Sequence, residues 1–481
     1  MSDSARHPAQ DLRRFLADYR AAHPDDVLEV GEPVSADQEI TAIASALAEQ
    51  GRHPLLLFPQ VRAGNVSDAP DTPDASGGSA AIRSTASTVT NLFGSRQRIG
   101  RMLGVDAAGI HAEYQRRARD LRPPTELASG PILDQVQQDN LDLHSLPLLQ
   151  HFATDRAPYI TNGVIIAEHP SKGYGNMSFH RAMLHGKDAL ATSLHSRGHL
   201  WRLFQAAQEL GRPLPAAMVI GAHPLFMLAG AARLPLGMDE RHVAGGLFGA
   251  ALEVVRTPRH GIAVPAYAEY VLEGVIDPTE KVDEGPFGEF TGYSSNRSTN
   301  NLFRVQSILR RRDAMLVDVL GGNSAEHLNL GRVPRESEMV EKLKERFPSV
   351  TAVHYPSSGT HFHAYVALRQ ARPGEARQIM LGLLGWDPYL KTVIAVDEDV
   401  NIMRDEEVLW ALATHFQPHR DVVIMDGLPG SALDPSASGI GTTSRMGLDA
   451  TRGPDFDGLR ARLSDQAMTR AREILGRLSL I

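Results

Sequence analysis

The chain contains no cysteine. That absence removes disulfides, thiolate nucleophiles and Cys-ligated zinc or iron–sulfur centres, so any metal must be held by His, Asn and carboxylates. Positive charge is not in surplus either: 49 Lys and Arg stand against 57 Asp and Glu, a net charge of -8. A nucleic-acid binder would carry a basic footprint instead. No apolar run approaches the ~20 residues of a membrane span. The opening MSDSARHPAQDLRRF lacks the apolar core of a secretory leader. These absences read together as a cytoplasmic protein with no membrane span and no nucleic-acid partner. Internal repeats are missing as well. The Gly439-Ile440-Gly441 stretch neither follows a clear strand nor opens a clear helix, as a dinucleotide fingerprint requires, and reads as a mobile loop or lid.

What is present is the composition of a globular protein, 42% hydrophobic and 22% charged. With 481 residues the chain exceeds one ordinary core. The pattern divides it into an N-terminal α/β region (1–122), a sheet-based α+β centre (123–322), a C-terminal α/β layer (323–454) and a charged amphipathic helix (455–481) of the kind that docks on a partner. Residues 64–87 are rich in Gly, Ser, Pro, Asp and Ala, without aromatics or apolar periodicity. Such a segment cannot offset its ordering entropy by burial, so it reads as a disordered insertion. Glu336–Arg346 reads as an amphipathic helix, with strands at Val350–Val353, Ala364–Ala367 and Thr392–Val396.

The most informative stretch is EGPFGEFTGY, Glu284 to Tyr293. It sets Glu284 and Glu289 five positions apart. On a regular strand they would stand roughly 16 Å apart on opposite faces. Gly285, Pro286 and Gly288 argue against a regular strand, and a kink brings both carboxylates to one pocket wall. Paired carboxylates in different environments serve as base and acid near neutral pH. A surface turn with two solvated glutamates is the bland alternative. In Gly175–Arg181, GNMSFHR, alternation places Asn176, Ser178 and His180 on one face, with Arg181 opposite unless the strand bulges. Asn, Ser and backbone N–H groups suit a phosphate or ring carbonyl, and the fork of Arg181 suits a carboxylate; a structural Arg–Glu pair is the competing account. His199 opens a helix, where it could equally cap or pack, and Glu253 precedes a strand. With Asn176 they offer one nitrogen and two oxygens, a set that suits Mn²⁺ or Mg²⁺ holding a phosphate better than zinc. His361 and His363 form a His-x-His on a predicted strand, leaving a metal hydrolase as a further reading.

The blocks NMSFHRAM, GALEVVRT, VPAYAEYVLEG, EGPFGEFTGY and LKTVIAVDEDVNI, together with the His199 helix start, occur in an order that resembles the UbiD-type decarboxylases. The resemblance runs from about Asn91 to Thr451. It implies a split β-barrel flavin-binding domain between an N-terminal α/β region and a C-terminal α/β dimerisation domain. It also implies a carboxy-lyase that uses prenylated FMN on an aromatic, heteroaromatic or α,β-unsaturated acid, and a flavin prenyltransferase that supplies the cofactor. By position, Arg181, Glu284 and Glu289 match the family's catalytic Glu-Arg-Glu triad. Asn176, His199 and Glu253 match the Mn²⁺ (or Mg²⁺) site beside K⁺, Lys391 the flavin phosphate contact, and Ser178, Phe179 and His180 the flavin itself. In that reading Arg181 orients the substrate carboxylate, Glu284 holds Arg181, and Glu289, its pKa raised by burial, supplies the proton. Some members carry Tyr at Phe287 and Asp at Glu289. The SGIGTTSRMGLDAT pattern is nearer the quinone-pathway branch, and residues 64–87 have no counterpart. A flavin-dependent oxidoreductase and a non-catalytic flavin-binding subunit are the alternatives.

Overall fold

The computed structural model describes residues 10–62, 85–194, 198–296, 298–437 and 441–478. Its N-terminal sheet is built on Leu55–Arg62, which runs parallel to Val27–Glu29 and antiparallel to Thr85–Thr90. Pairing of Arg62 with Thr85 makes the two strands a hairpin. Thr85, Ala86 and Ser87 therefore belong to a strand, which corrects the expected insertion at its C-terminal end; residues 64–84 lie outside the described residues. Ala86 and Ser87 escape notice in the sequence because small and hydroxyl side chains show no apolar alternation. Leu316–Val317, from the end of the central unit, adds in parallel to Thr85–Thr90. The largest core correspondingly joins Leu12, Leu55 and Val89 to Val164, Val219 and Val271.

The central sheet is antiparallel, in the order Tyr159–Ile160, Ala182–Leu184, Ala189–Thr192, Ser298–Arg310, Tyr270–Glu284, Leu214–Ile220, Gly163–Glu168, Gly175–Phe179. Its two edges are close in sequence. Ile160 at one edge leads within three residues to Gly163, and Phe179 at the other leads within three residues to Ala182. In a flat sheet the strands joined by these links would lie six spacings apart, about 28 Å at about 4.7 Å per spacing. Links of that length cannot span the gap, so the sheet curls into a split barrel. The bulge at Glu273/Gly274 promotes the curl. There a Cβ on Gly274 would sit 2.0 Å from the Arg304 carbonyl oxygen, so only glycine fits.

The C-terminal sheet is mixed, in the order Val350–His354, His363–Leu368, Thr392–Asp397, Thr442–Ala450, Val422–Pro429. Helices Ala325–Lys344 and Glu375–Trp386 cover one face with Met339, Leu343, Ile379 and Leu383. Asp405–His415 covers the other with Val408 and Ala411. One expectation changes here. The helix predicted from Glu336 begins at Ala325 and contains Gly331 and Pro334, residues that read as breakers but are held within a long helix by tertiary packing. Thr442–Ala450 is a strand paired on both sides; of the Gly439–Gly441 stretch expected as a loop or lid, Gly439 and Ile440 lie outside the described residues. The last helix, Asp465–Arg477, starts ten residues later than Asp455 and buries none of its residues.

Candidate active site

The two longest strands, Tyr270–Glu284 and Ser298–Arg310, pair to their ends, with Glu284 opposite Ser298. Residues 285–297 are their connection, so the EGPFGEF segment is mounted on the longest hairpin among the described residues. Gly288 bridges to Ser294 and folds the segment back on itself. The kink expected between the two carboxylates is present, and Arg181 sits at the barrel corner between Phe179 and Ala182 rather than on a regular strand face.

Arg181 joins both carboxylates. Its Nε donates to Glu284 Oε1 and its Nη2 to Glu284 Oε2, each at 2.9 Å. Its Nη1 pairs with Glu289. The Tyr159 hydroxyl donates to Glu284 Oε1 at 3.0 Å, and Asn300 Nδ2 donates to Oε2 at 2.8 Å. Glu284 is fully buried and accepts four hydrogen bonds, about the number a carboxylate can take. Burial, with Glu284 as neighbour, pushes the Tyr159 phenol far up, so it stays a donor. Phe287 lies under the guanidinium, 4.9 Å from its carbon to the ring centroid. Glu289 is 5% exposed and makes none of Glu284's supporting bonds beyond Arg181, which leaves it the less committed of the two acids.

Sequence reading missed the clamp on this turn. Asp155 accepts the Gly288 N–H at 2.9 Å with one oxygen and those of Phe152 and His151 at 3.0 and 3.2 Å with the other. The Pro286 carbonyl accepts from Arg156 N at 3.2 Å. The Phe152 ring lies where a Cβ on Gly288 would be, 2.3 Å away, so the turn requires glycine there. Burial raises the Asp155 pKa. A buried acid four residues after a His carries no sequence signature, and nothing in the chain announces it.

On strand Gly175–Phe179 the expected polar face exists. Ser178 Oγ lies 3.1 Å from Asn176 Oδ1 and 3.0 Å from His180 Nε2. Phe179 packs against the core. His199 is the first residue of helix His199–Glu209, and burial lowers its pKa. The structure does not bring Glu253 to them. Glu253 starts a strand paired with Thr125–Glu126, its N–H bonded to Gln10 Oε1 at 2.9 Å, and its carboxylate takes the Tyr267 hydroxyl, whose pKa rises to about 12. The acid beside Asn176 is Glu240, in the first turn of helix Glu240–Phe248. Glu240 Oε2 accepts from Asn176 Nδ2 at 3.1 Å and Met177 N at 2.8 Å, and Oε1 lies 3.9 Å from His199 Nδ1. Glu240 is 2% exposed, and burial raises its pKa to about 7, with neighbouring Asp239 adding to the rise. A buried carboxylate without a cationic partner among the described residues, beside an imidazole and an amide, fits a divalent cation by donor type and charge.

Lys391 opens Thr392–Asp397 and pairs with Asp434 at 2.8 Å and Ser436 Oγ at 2.6 Å. It lies over Phe362, which contacts Phe290, the residue after Glu289. The expected His-x-His does not form a metal face. His361 precedes the strand and packs 4.8 Å from Phe290. Among the described residues no three His, Cys, Asp or Glu side chains cluster as a metal site.

A split barrel carrying two carboxylates on one arginine, with an α/β unit closing over the same turn, is the architecture of the UbiD decarboxylases. Family models of the 3-octaprenyl-4-hydroxybenzoate carboxy-lyase match its N-terminal domain at residues 20–118, its Rift-related domain at 125–324 and its C-terminal domain at 328–450. The chain belongs to this family and is a decarboxylase of it, a carboxy-lyase. It is 34% identical over 428 residues, 89% of this chain and 93% of the relative, to the anhydromevalonate phosphate decarboxylase of Methanosarcina mazei. The UbiD-class enzyme HmfF of Pelotomaculum thermopropionicum, solved with FMN, superposes with a TM-score of 0.86 at 31% identity, covering 95% of this chain and 98% of that one. The vanillic acid decarboxylase of Sedimentibacter hydroxybenzoicus gives 0.81 at 26% identity, covering 97% and 99%. Among the described residues no helix is long and apolar enough to cross a membrane.

Proposed function

We propose that the chain decarboxylates an aromatic, heteroaromatic or α,β-unsaturated carboxylic acid without net oxidation, using prenylated FMN. The observation that carries this reading is the unequal pair of carboxylates on Arg181. Glu284 holds the guanidinium through two parallel bonds and is saturated, while the Glu289 carboxylate pairs with Arg181 alone among the described residues. The relatives that share 34% of their residues are named for an acid that carries a phosphate, which favours the unsaturated aliphatic branch of the class.

Asn176, His199 and Glu240 would hold Mn²⁺ or Mg²⁺, with K⁺ beside it, at the cofactor phosphate; Ser178, Phe179, His180 and Lys391 would line the flavin. HmfF has been solved both with FMN and with prenylated FMN, which supports the cofactor assignment. When bound, the prenylated flavin supplies the electron sink that lets the carbon–carboxylate bond break. Arg181 orients the substrate carboxylate through Nη1, the nitrogen that Glu284 leaves to Glu289, while Glu284, Tyr159 and Asn300 keep the guanidinium plane fixed. Phe287 and Phe290, both nearly buried, exclude water around the acid. Glu289, in its protonated form, gives its proton to the carbon that has lost CO₂. Asp155 keeps the Gly288 N–H, and with it the Glu289 backbone, in register.

The terminal segment exposes Leu459, Leu463 and Leu478, at 97%, 73% and 61%, and supports a homodimer in which a second copy covers it. The test of the main reading is a comparison of protein expressed with and without a flavin prenyltransferase. The two preparations are assayed by absorbance and by CO₂ release from a panel of unsaturated and aromatic acids. CO₂ release confined to the co-expressed sample is expected. Equal CO₂ release from both samples would contradict the cofactor assignment.

A further inference from the structure

Helix Glu240–Phe248 opens on a buried acid followed at once by a buried base, and the two do not meet. The Glu240 side chain is 3% exposed and that of Arg241 8%. An uncompensated buried carboxylate is costly, and the guanidinium beside it in sequence is its obvious partner. Glu240 instead accepts from Asn176 Nδ2 and Met177 N, and no Arg241 nitrogen bonds to it among the described residues.

The cause lies one residue earlier. Asp239 caps the helix, its Oδ1 accepting the Arg241 N–H at 2.9 Å, and the same carboxylate takes the guanidinium. Arg241 Nε donates to both Asp239 oxygens at 3.0 Å, and Nη2 donates to Oδ2 at 2.6 Å. The other contacts are Glu168 Oε1, 3.4 Å from Nη2, and the Ala263 carbonyl, 3.3 Å from Nη1. The pair lies against strand Gly175–Phe179, where a Cβ on Gly175 would collide with both Arg241 Nη2 and Asp239 Oδ2. Glycine at that position is what leaves room for it. Glu240 Oε2 is bonded at Asn176 and Met177, the next two residues of the same strand. At a rise of about 3.3 Å per residue, the guanidinium over Gly175 is about 3 to 7 Å from that carboxylate. An arginine side chain closes such a gap by rotating about its own bonds, and its fork matches a carboxylate better than an amide does.

We propose that Asp239 is a positioning residue for the cation site: with Gly175 it holds the Arg241 guanidinium away from Glu240, and so keeps that carboxylate open to a divalent cation. This inference rests on the reading above in which Glu240, Asn176 and His199 hold Mn²⁺ or Mg²⁺. Released from Asp239, the Arg241 fork would cover the oxygens of Glu240 and compete with the cation for them. Asp239 itself touches neither the cation nor the flavin in this scheme; it acts through Arg241.

The test is Mn²⁺ titration of the full chain after chelation, read from the electron paramagnetic resonance signal of free Mn²⁺. Gly175→Ala changes no charge and sits in an ordinary strand, but its methyl group forces the Arg241–Asp239 pair to shift. Mn²⁺ affinity should fall about 10-fold, the lower end for a competing charge-assisted bond. Asp239→Asn keeps the helix cap, since Asn caps as well as Asp, and frees the fork by removing its charge. It should weaken Mn²⁺ at least as much. Adding Arg241→Met to either variant removes the competitor and should return affinity to within about threefold of wild type. A pair that served only to dock the helix would give the opposite result, because deleting it does more harm than shifting it. Undiminished affinity in Gly175→Ala would overturn the proposal, as would a loss that persists in Gly175→Ala/Arg241→Met. Wild-type affinity in Glu240→Ala would instead defeat the cation reading on which the proposal rests.

Discussion

Arg181 and Glu284 meet through two parallel bonds of 2.9 Å, side chain plane to side chain plane, across 103 residues of sequence. This pairing fixes the direction in which the remaining nitrogen of Arg181 points, toward Glu289.

Glu284→Gln replaces one acceptor with a donor amide facing Arg181, Tyr159 or Asn300. Breaking a buried pair by changing one partner costs about 3 kcal/mol, which should lower the melting temperature by several degrees. Turnover should drop about 10²-fold, the scale for misplacing a positioned group. Thermal melting and initial rates on one preparation check both; a variant with wild-type melting and rate would remove Glu284 from the account.

Metal binding separates Glu240 from Glu253. Glu240→Ala, like His199→Ala or chelation, should release manganese and flavin together, because the cofactor phosphate loses its counter-charge. Glu253→Ala should keep both, since its carboxylate engages Tyr267 instead. Metal analysis and the flavin spectrum after gel filtration decide it. Retention of both by Glu240→Ala, with loss by Glu253→Ala, would restore the assignment read from sequence.

The contrast between these two glutamates shows where the sequence is legible. EGPFGEFTGY declares itself because its glycines, proline and acids act within ten residues, and local chemistry forecasts the kink. The strand face Asn176–Ser178–His180 is readable because alternation is local too. The acid beside Asn176 is different. It arrives from helix Glu240–Phe248, 64 residues beyond Asn176, and only the packing of that helix on the strand chooses it. Glu253 stands in a more conspicuous block, so local pattern favours it over Glu240. Helix Ala325–Lys344 was half hidden for a related reason: buried Arg332, Arg335 and Glu336 blur its apolar face, and Pro334 imitates a stop. Asp155, a lone acid in a loop, gave no signal.

A pH dependence follows from Glu326. Its carboxylate is fully buried and accepts from Asn91 N at 2.8 Å, Leu320 N at 3.0 Å, Thr90 Oγ1 at 3.1 Å and Phe93 N at 3.3 Å. Burial, with Asp318 beside it, nonetheless raises its pKa from 4.5 to about 7. A folded-state pKa above the unfolded one means the folded chain holds a proton that the unfolded chain has released. Its contribution is therefore fully present below about pH 4.5 and is lost as pH rises through about 7. The change amounts to about 3 kcal/mol. Glu326→Gln cannot titrate, so its stability should fall less steeply over that interval. Urea midpoints at pH 5, 6, 7 and 8 test the slope; identical slopes in variant and wild type would mean that Glu326 does not titrate there.

The most direct test of the central claim is Glu289→Gln, assayed for flavin content and decarboxylation in the same purified sample. The substitution is nearly isosteric and removes only the exchangeable proton. The account predicts a full flavin complement and a turnover lowered by about 10² or more, the scale of general acid catalysis. Decarboxylation at the wild-type rate by flavin-loaded Glu289→Gln would contradict it.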